Sequence, residues 1–253
     1  MTATINKTIV SGREIIVYLP PAYEMSKKKF SVVYIHDGGD LLYAQVDKVT
    51  ALITGGKLAQ LIFVGITTSK RLEDYTPWPA AAIAAERSNF GGKGADYLAF
   101  VANELKPYID GKYRTCSSPE HTGIIGASLG GLISLYALYL YPEVFGKIGV
   151  ISGSFWYEGF VEFMAETQLR NKQGRIYMDV GSKEGLGKGN IQKEMISRTK
   201  AAYKVLLSKG IPADNCRLIF NEGGTHEQSC FLSRFPDALH WLFPKEHSDC
   251  YTQ

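Results

Sequence analysis

The most informative stretch of the chain is Gly126-Ala127-Ser128-Leu129-Gly130-Gly131. It follows the apolar run 122–125, which has strand character, and it precedes the almost continuously apolar segment 129–141, which we predict to be a helix. A serine on a sharp strand-to-helix turn needs small residues two positions before and after it. Such a turn lifts the hydroxyl clear of the sheet and presents it at a helix N-terminus, where the helix dipole favours a developing negative charge. The pattern predicts a nucleophile elbow with Ser128 as the nucleophile.

Other apolar runs of strand length occur on both sides of this turn. From residue 30 onward they are short, rich in Val and Ile, and continuous rather than alternating, which is typical of strands buried on both faces of a parallel sheet. The predicted strands are 15–19, 30–35, 61–66, 122–125, 148–152, 176–180 and 218–221.

Segments with helical periodicity lie between and after these strands, at 97–109, 129–141, 191–207 and 231–243. Strands that alternate with helices predict an α/β protein with active residues at the carboxyl ends of its strands. Together with the elbow, this alternation predicts the α/β-hydrolase fold, a central and mostly parallel sheet flanked by helices on both faces.

No internal repeat, low-complexity tract or linker interrupts residues 1–253, and we interpret them as a single catalytic domain. The segment 74–90 contains Pro77, Pro79 and an Ala-rich patch, and is predicted to be a long surface loop with a short helix. Loops of this length inside a compact domain are usually functional or mobile. The sequence leaves open whether this one closes over a substrate.

The composition excludes several classes of protein. The chain is 45% hydrophobic and 21% charged, as is typical of a globular protein, and its net charge is only +3. Its basic residues are scattered, so the basic patch of a nucleic-acid binder is missing. No window approaches the ~20 apolar residues of a membrane span, and the first residues do not resemble a signal peptide. We therefore expect a cytoplasmic protein with neither a nucleic-acid nor a membrane partner.

The four cysteines, Cys116, Cys216, Cys230 and Cys250, lie far apart and form no CxxC pair. A chain of this length does not need disulfides to fold, and nothing in it suggests secretion. We expect all four to be reduced, and the first three to be packing residues.

A serine hydroxyl is a weak nucleophile until a base takes its proton, and histidine suits that role near neutral pH. In this fold the chain order is serine, acid, histidine, so the two histidines that precede Ser128 are second choices. His226 lies between the last predicted strand and the last predicted helix, where the base belongs. We interpret His240 as a residue of that helix and His247 as part of the polar tail. His226 is therefore the predicted base.

The acid that orients the histidine should lie at the end of strand 176–180. Asp179 is inside this strand, where its carboxylate would point off one face of the sheet. Glu184 lies on the loop beyond, and glycines on both sides let that loop fold back toward His226. We favour Glu184 over Asp179. A Ser–His dyad with no acid is the remaining alternative, since the acid only orients and stabilises the imidazole.

An oxyanion hole needs two backbone N–H donors. The residue after the nucleophile, Leu129, supplies one, and the loop after strand 30–35 supplies the other. Gly39 is the predicted second donor and Gly38 the alternative, because glycine lets the backbone approach the substrate oxygen closely.

Several segments together resemble a known family. The stretches 18–23, 37–39, 126–131 and 152–156 are similar to the esterase D-like putative esterases. That family includes feruloyl esterases, S-formylglutathione hydrolases, mycolyltransferases and enterobactin esterases. The resemblance extends from about residue 12 to about residue 242 and implies a hydrolase of the fold predicted above.

Two further stretches, 71–77 and 90–97, resemble the branch of this family that hydrolyses trilactone siderophores. That branch typically has a glutamate where Glu184 stands, and it usually has a tryptophan near the place of Phe231, where this chain departs from the pattern. The resemblance implies an enzyme that opens the ester bonds of a ferric tris-catecholate so that iron is released.

Four residues are candidates for binding such a flat, anionic ligand: Trp156 and Tyr157 after a predicted strand, and Trp78 and Arg87 in the segment 74–90. Aromatic faces together with cations suit a catechol-rich ligand. Each residue also has a plainer interpretation, as core packing for the aromatic side chains or as a solvated charge for Arg87.

The leading prediction is a serine esterase that forms an acyl-enzyme on Ser128 and takes a small-molecule ester, a ferric catecholate trilactone siderophore. No metal or organic cofactor is implied, because the histidines and acids show no ligand spacing. The first alternative is the same machinery acting as a general carboxylesterase, a feruloyl esterase or an S-formylglutathione hydrolase-like enzyme. The alternative from another class is an inactive binding protein on a hydrolase fold.

Overall fold

A computed structural model describes residues 4–245 of the 253-residue chain. His247 and Cys250 lie outside these residues. Eight strands form the main sheet in the order β1-β2-β4-β3-β7-β8-β9-β10, and β5 pairs with β6 in a separate two-stranded ribbon. The strands are β1 Thr4–Val10, β2 Arg13–Leu19, β3 Ser31–Ile35, β4 Leu61–Ile66, β5 Pro79–Ala80, β6 Phe90–Gly91, β7 Thr122–Ala127, β8 Lys147–Ile151, β9 Arg175–Gly181 and β10 Cys216–Asn221.

The main sheet is mostly parallel. Strands β1 and β2 form an antiparallel hairpin, and β2 pairs antiparallel with β4. All the other pairs of the main sheet are parallel, so the carboxyl ends of β3, β7, β8 and β9 lie at one edge. The seven predicted strands are all present, and their ends differ from the predicted ones by at most two residues. Strand β1 was not predicted, because its polar residues break the apolar run and most of its side chains are at least partly exposed.

Helices cover both faces of the sheet, which confirms the predicted fold class. On one face, buried side chains from α4 to α8 pack in a single cluster, and on the other face α2 and α9 pack in a second one. The helices are α1 Asp40–Tyr43, α2 Val46–Thr54, α3 Arg71–Asp74, α4 Gly94–Phe100, α5 Lys106–Lys112, α6 Leu129–Leu140, α7 Phe160–Glu166, α8 Met195–Ser208 and α9 Gln228–Leu242.

The predicted helices correspond to α4 to α6, α8 and α9. A π-helical turn at Val101–Leu105 joins α4 to α5, and a 3-10 turn at Ile191–Glu194 precedes α8. Helix α6 is buried at every position except Leu140, as expected of a helix packed centrally on the sheet. Helices α2 and α7 were not predicted, since each is short and presents only two or three buried side chains.

The segment 74–90 contains no helix after Asp74, so the predicted short helix is wrong. Instead Pro79 and Ala80 pair with Gly91 and Phe90 and close the segment into a loop. The Ala-rich patch lies between these two paired strands, and the chain there forms bends and turns as it returns from β5 to β6.

The prediction of reduced cysteines is wrong for Cys116, which is disulfide-bonded. Cys216 is a buried free thiol, and Cys230 is a half-buried one. Sequence spacing does not reveal which thiols the fold brings within bonding distance, and this is why the disulfide was missed.

Within residues 4–245, no helix has the length and apolar character that crossing a membrane requires.

Candidate active site

Ser128 lies on the turn between β7 and α6, in a strained conformation. Its φ of 58° and ψ of −120° are rarely adopted by a residue with a side chain. Gly126 makes the turn feasible, because a Cβ there would lie 2.7 Å from the carbonyl carbon of Gly130 and 2.8 Å from the His36 ring. Ser128 N–H donates to the Ile151 carbonyl at 3.0 Å, and Ser154 N–H donates to the Ser128 carbonyl at 3.1 Å. The turn is thereby tied to the end of the neighbouring strand, which fixes the position of the Ser128 hydroxyl.

The structure brings Ser128 into contact with His226. The Oγ of Ser128 lies 2.9 Å from Nε2 of His226 and 3.1 Å from Oγ of Ser154. His226 lies on the loop between β10 and α9, and its side chain is 24% exposed, so the imidazole faces both the serine and the solvent.

Glu184 lies on the other side of the imidazole, with Oε2 at 2.8 Å from Nδ1 of His226. An ionised carboxylate can only accept a hydrogen bond, so Nδ1 of His226 carries the proton and donates it. The unprotonated Nε2 is then free to accept the hydrogen bond from the Ser128 hydroxyl. This chain of two hydrogen bonds is the arrangement in which a histidine can act as a general base.

The carboxylate of Glu184 is fully buried. Burial alone would raise the pKa of Glu184, but hydrogen bonds from His226, Ser152 and the Gly181 N–H outweigh burial and hold the pKa below its ordinary value. Glu184 is therefore ionised at neutral pH, which the hydrogen bond to His226 requires.

Asp179, the alternative acid, points away from His226 toward helix α9. It accepts from Nη1 of Arg234 at 2.8 Å, from Ser152 N–H at 3.0 Å and from the Tyr177 hydroxyl at 3.2 Å. Burial raises the pKa of Asp179 to about 6, although the charge of Arg234 opposes the rise. Of the two candidate acids, the structure places Glu184 against the imidazole and Asp179 behind it.

The predicted oxyanion donors lie on two different elements, Leu129 on α6 and Gly39 on the loop after β3. Leu129 is the first residue of α6, and the N–H groups of a first helical turn have no partner within the helix. The 36–40 loop follows β3, and in this loop Gly39 N–H donates to the His36 carbonyl at 3.1 Å. That bond competes with a role for Gly39 in binding a substrate oxygen and favours the alternative, Gly38.

Buried aromatic side chains pack against the 36–40 loop. The buried ring of His36 contacts Tyr75 and Tyr97, and its Nδ1 lies 2.8 Å from the Tyr97 hydroxyl. The Tyr75 hydroxyl accepts the Asp37 N–H at 2.8 Å. Burial, with a smaller contribution from the charge of Arg71, lowers the pKa of His36 to about 3. His36 is therefore neutral and structural.

Three of the four candidate substrate residues are neighbours, since the ring centroid of Tyr157 lies 6.1 Å from that of Trp78 and 6.4 Å from that of Trp156. Trp156, only 6% exposed, lines a small cleft of about 60 Å³ together with His226. Tyr157 and Trp78 instead hold each other, since the Tyr157 hydroxyl donates to the Trp78 carbonyl at 2.5 Å and their rings are in contact. Arg87 is exposed on the 74–90 loop. The other residues that line the cleft are Gly185, Lys188, Gln192 and Met195.

The sequence reasoning missed side chains that surround the three candidate residues. Ser152 and Ser154 follow β8, in a segment that resembles the family but whose serines carry no catalytic motif of their own. Arg234 lies in α9 and reaches Asp179 and Ser152, and Phe231 packs edge-on against the His226 ring with centroids 4.9 Å apart. The buried arginine had no sequence signal of its own, because a polar residue in an amphipathic helix is ordinarily exposed.

No group of three or more His, Cys, Asp or Glu side chains within residues 4–245 is placed to hold a metal ion.

Comparisons of sequence relate the chain to known esterases. A sequence model described as putative esterase matches residues 7–242. The uncharacterized protein YbbA of Bacillus subtilis (strain 168) is 37% identical over 248 residues, which cover 98% of this chain and 99% of YbbA. An iron(III) enterobactin esterase of Escherichia coli O6:H1 is 34% identical over 98 residues, which cover 36% of this chain and 24% of that enzyme.

Solved structures share the fold. An IroE-like serine hydrolase from Shewanella oneidensis aligns with a TM-score of 0.78 at 21% identity, over 95% of this chain and 80% of that chain. The enterobactin esterase FES from Shigella flexneri, in the presence of enterobactin, aligns with a TM-score of 0.72 at 20% identity, over 96% of this chain and 58% of that chain. A ferulic acid esterase aligns with a TM-score of 0.71 at 19% identity, over 96% of this chain and 98% of that chain.

Proposed function

Since the chain belongs to the putative esterase family and is a carboxylic ester hydrolase, we propose that it works through an acyl-enzyme on Ser128 and opens a ferric catecholate trilactone siderophore. The observation that carries the mechanism is the hydrogen-bonded chain from Ser128 through His226 to Glu184, with bonds of 2.9 Å and 2.8 Å. No metal or organic cofactor is needed for this chemistry.

The first half of the reaction forms the acyl-enzyme. Ser128 Oγ attacks the carbonyl carbon of the ester while Nε2 of His226 takes the hydroxyl proton. The tetrahedral intermediate collapses, the ester C–O bond breaks, and His226 returns the proton to the departing alkoxide. Glu184 holds the imidazole in the required tautomer and stabilises the imidazolium that forms.

The second half releases the acid. A water molecule gives its proton to His226 and attacks the acyl carbon, and the bond to Ser128 Oγ breaks as His226 returns the proton to the serine. In both halves negative charge develops on the carbonyl oxygen. We expect the Leu129 N–H and a backbone N–H of the 36–40 loop, that of Gly38 or Gly39, to bind that oxygen.

The surroundings of His226 support an anionic aromatic substrate. The cleft beside the imidazole is lined by Trp156 and by the exposed Lys188, so an aromatic side chain and a cation lie together there. The cleft, of about 60 Å³, is too small for a whole tris-catecholate, so we expect it to hold one arm of a larger ligand. Solved structures of this fold include an enterobactin esterase and a siderophore hydrolase, which favours a siderophore over a simple acyl ester as the substrate.

The test is hydrolysis of a ferric catecholate trilactone by the purified protein and by Ser128→Ala, followed by time-resolved chromatography of the linear products. We expect rapid ring opening by the wild type and, because the nucleophile is lost, a fall in kcat of about 10⁶-fold in the variant. Ser233→Ala, an exposed serine in α9, is the matched control and should retain full activity.

A second substrate, p-nitrophenyl acetate, separates mechanism from specificity. Turnover of this ester without turnover of the trilactone would retain the mechanism and reject the siderophore. A feruloyl ester should be included, because a ferulic acid esterase matches this chain over nearly its full length. Activity that persists in Ser128→Ala would reject the mechanism itself, and a wild type that cleaves no ester would indicate a binding protein.

A further inference from the structure

The two oxygens of Glu184 have different partners. Oε2 accepts the hydrogen bond from His226. Oε1 accepts the Gly181 N–H at 2.7 Å and the Ser152 hydroxyl at 2.5 Å, and it lies 3.4 Å from Nη2 of Arg234. A carboxylate that is held at one oxygen by several donors cannot rotate, so its other oxygen stays aimed at the imidazole.

Arg234 ties these donors together. Its Nε donates to the Cys230 carbonyl at 2.9 Å, Nη1 donates to Asp179 at 2.8 Å, and Nη2 donates to Ser152 Oγ at 3.0 Å. Each nitrogen of the guanidinium therefore has an acceptor, and the side chain is only 7% exposed. Because the Ser152 hydroxyl accepts from Arg234, its own proton is directed to Glu184.

The charges of this buried cluster match the proposed reaction. Asp179 and Glu184 each carry a negative charge and Arg234 carries one positive charge, so the cluster has one net negative charge next to His226. When the imidazole accepts the Ser128 proton, the cluster and the imidazolium together become neutral. Without Arg234, two carboxylates would be buried side by side and would share a proton.

We propose that Arg234 is a positioning residue that keeps Glu184 ionised and oriented toward His226. This inference rests on the proposed function. Helix α9 connects the acid with the base: it begins two residues after His226 and carries Arg234, the residue that supports Glu184, on its buried face. A displacement of α9 would therefore move the support of the acid and the loop of the base together.

The decisive variant is Arg234→Gln, assayed with p-nitrophenyl acetate between pH 5 and 9. We expect kcat to fall about 10- to 100-fold, as for other small misplacements of a reacting group, while KM changes by less than about threefold. The acid limb of the rate profile should move to higher pH. The ionisable groups that face Glu184 and Asp179 are His226, Tyr177 and Arg234, and the loss of Arg234 leaves the carboxylates without a cation to oppose protonation.

Arg234→Lys separates charge from geometry. Lysine restores the cation but not the planar fork that reaches Asp179 and Ser152 together. We therefore expect this variant to return the acid limb toward that of the wild type while kcat recovers only in part. An effect of Arg234 on folding alone would lower the amount of active enzyme without moving the acid limb.

Arg198→Gln is the matched control, because Arg198 also pairs with two carboxylates, Glu162 and Glu194, but at the surface of α8. It should behave as the wild type. A folded Arg234→Gln protein with wild-type kcat and pH profile would overturn the inference.

If Arg234→Gln does not fold, Ser152→Ala removes only the hydroxyl that bridges Arg234 and Glu184. We expect a fall in kcat of about 10-fold with KM unchanged, and an unchanged kcat would likewise overturn the inference. The proposed function fails separately, if Ser128→Ala keeps its activity or a fluorophosphonate fails to label Ser128 in the wild type.

Discussion

Behind Glu184 lie an arginine, a second carboxylate and a serine hydroxyl, whereas behind the 36–40 loop lie two tyrosines and an imidazole. The first group, Asp179, Ser152 and Arg234, is charged, buried and fully hydrogen-bonded to Glu184 and to itself. The second group, His36, Tyr75 and Tyr97, is equally buried, but burial keeps it uncharged. Two loops that flank the same serine are thus supported in opposite ways.

The difference follows from what each loop has to do in the proposed mechanism. A proton moves onto His226 during the reaction, and a fixed negative charge behind the imidazole stabilises that state. At the 36–40 loop, only backbone N–H groups act on the substrate oxygen, and a buried ion there would add cost without a role. The charges on that side, Asp37 and Arg71, form a pair in which both side chains are about one-third exposed.

Removing one charge from each loop should show the difference between the two loops most clearly. Glu184→Gln is expected to lower kcat about 10³- to 10⁴-fold, because an amide no longer fixes the tautomer of His226. Asp37→Asn should lower kcat by less than about 10-fold, since Asn tolerates the φ of 55° at this position and Arg71 lies outside the path of the proton. Steady-state kinetics with p-nitrophenyl acetate measures both effects.

Equal losses in the two variants would show that the loops depend on charge to the same degree. A Glu184→Gln protein that keeps more than a tenth of its kcat would favour the Ser–His dyad without an acid.

The uncharged group behind the 36–40 loop should instead make the free energy of unfolding depend on pH, through His36. The pKa of His36 falls from its ordinary value of 6.5 to about 3 in the folded chain, so the unfolded chain binds a proton first as the pH drops. The stabilising contribution of His36 is therefore fully present above pH 6.5 and is lost as the pH falls toward 3. Between pH 7 and pH 5 the contribution of His36 to the free energy of unfolding should fall by about 2 kcal/mol.

Urea unfolding of the wild type and of His36→Asn at these two pH values tests this expectation. The variant lacks the titrating ring. Between pH 7 and pH 5 its free energy of unfolding should therefore rise by about 2 kcal/mol relative to that of the wild type. Asp179 acts in the opposite direction, because its raised pKa makes the folded chain the better proton acceptor, but it is present in both proteins and cancels. A difference that does not change with pH would remove His36 from the explanation.

The sequence predicted the central part of the fold better than its margins. Strand β4, Leu61–Ile66, has the predicted ends, because an uninterrupted apolar run has only one place in a parallel sheet. The edge strand β1 has no such run. The Ala-rich patch in the segment 74–90 favours a helix by composition, but the chain there is a loop that joins the paired strands β5 and β6. The central elements are fixed by burial, whereas the margins depend on pairing that composition does not reveal.

The same division holds for the site. Ser128, Glu184 and His226 could be chosen from chain order and strand ends, and the structure brings these side chains into hydrogen-bonding distance. Arg234 could not be chosen, since its burial depends on how α9 packs on the sheet. The sequence indicates which residues face the ligand more readily than which residues hold them in place.

The smallest expected effect concerns which exposed cation, one near Glu184 or one on the 74–90 loop, attracts the anionic substrate. Lys188 lines the cleft with Trp156 and His226, and Arg87 is exposed on the 74–90 loop.

For a ferric tris-catecholate at low salt, Lys188→Met should raise KM about 2- to 5-fold, the range of an exposed ion pair. At about 0.5 M salt the Debye length is only about 4 Å, so the effect should be screened there. It should be absent with neutral p-nitrophenyl acetate. Arg87→Met is the matched comparison, since it removes one exposed cation from the other segment. A larger effect from Lys188 would place the anion on the side of Glu184, where the charged support lies, and a larger effect from Arg87 would place it under the 74–90 loop.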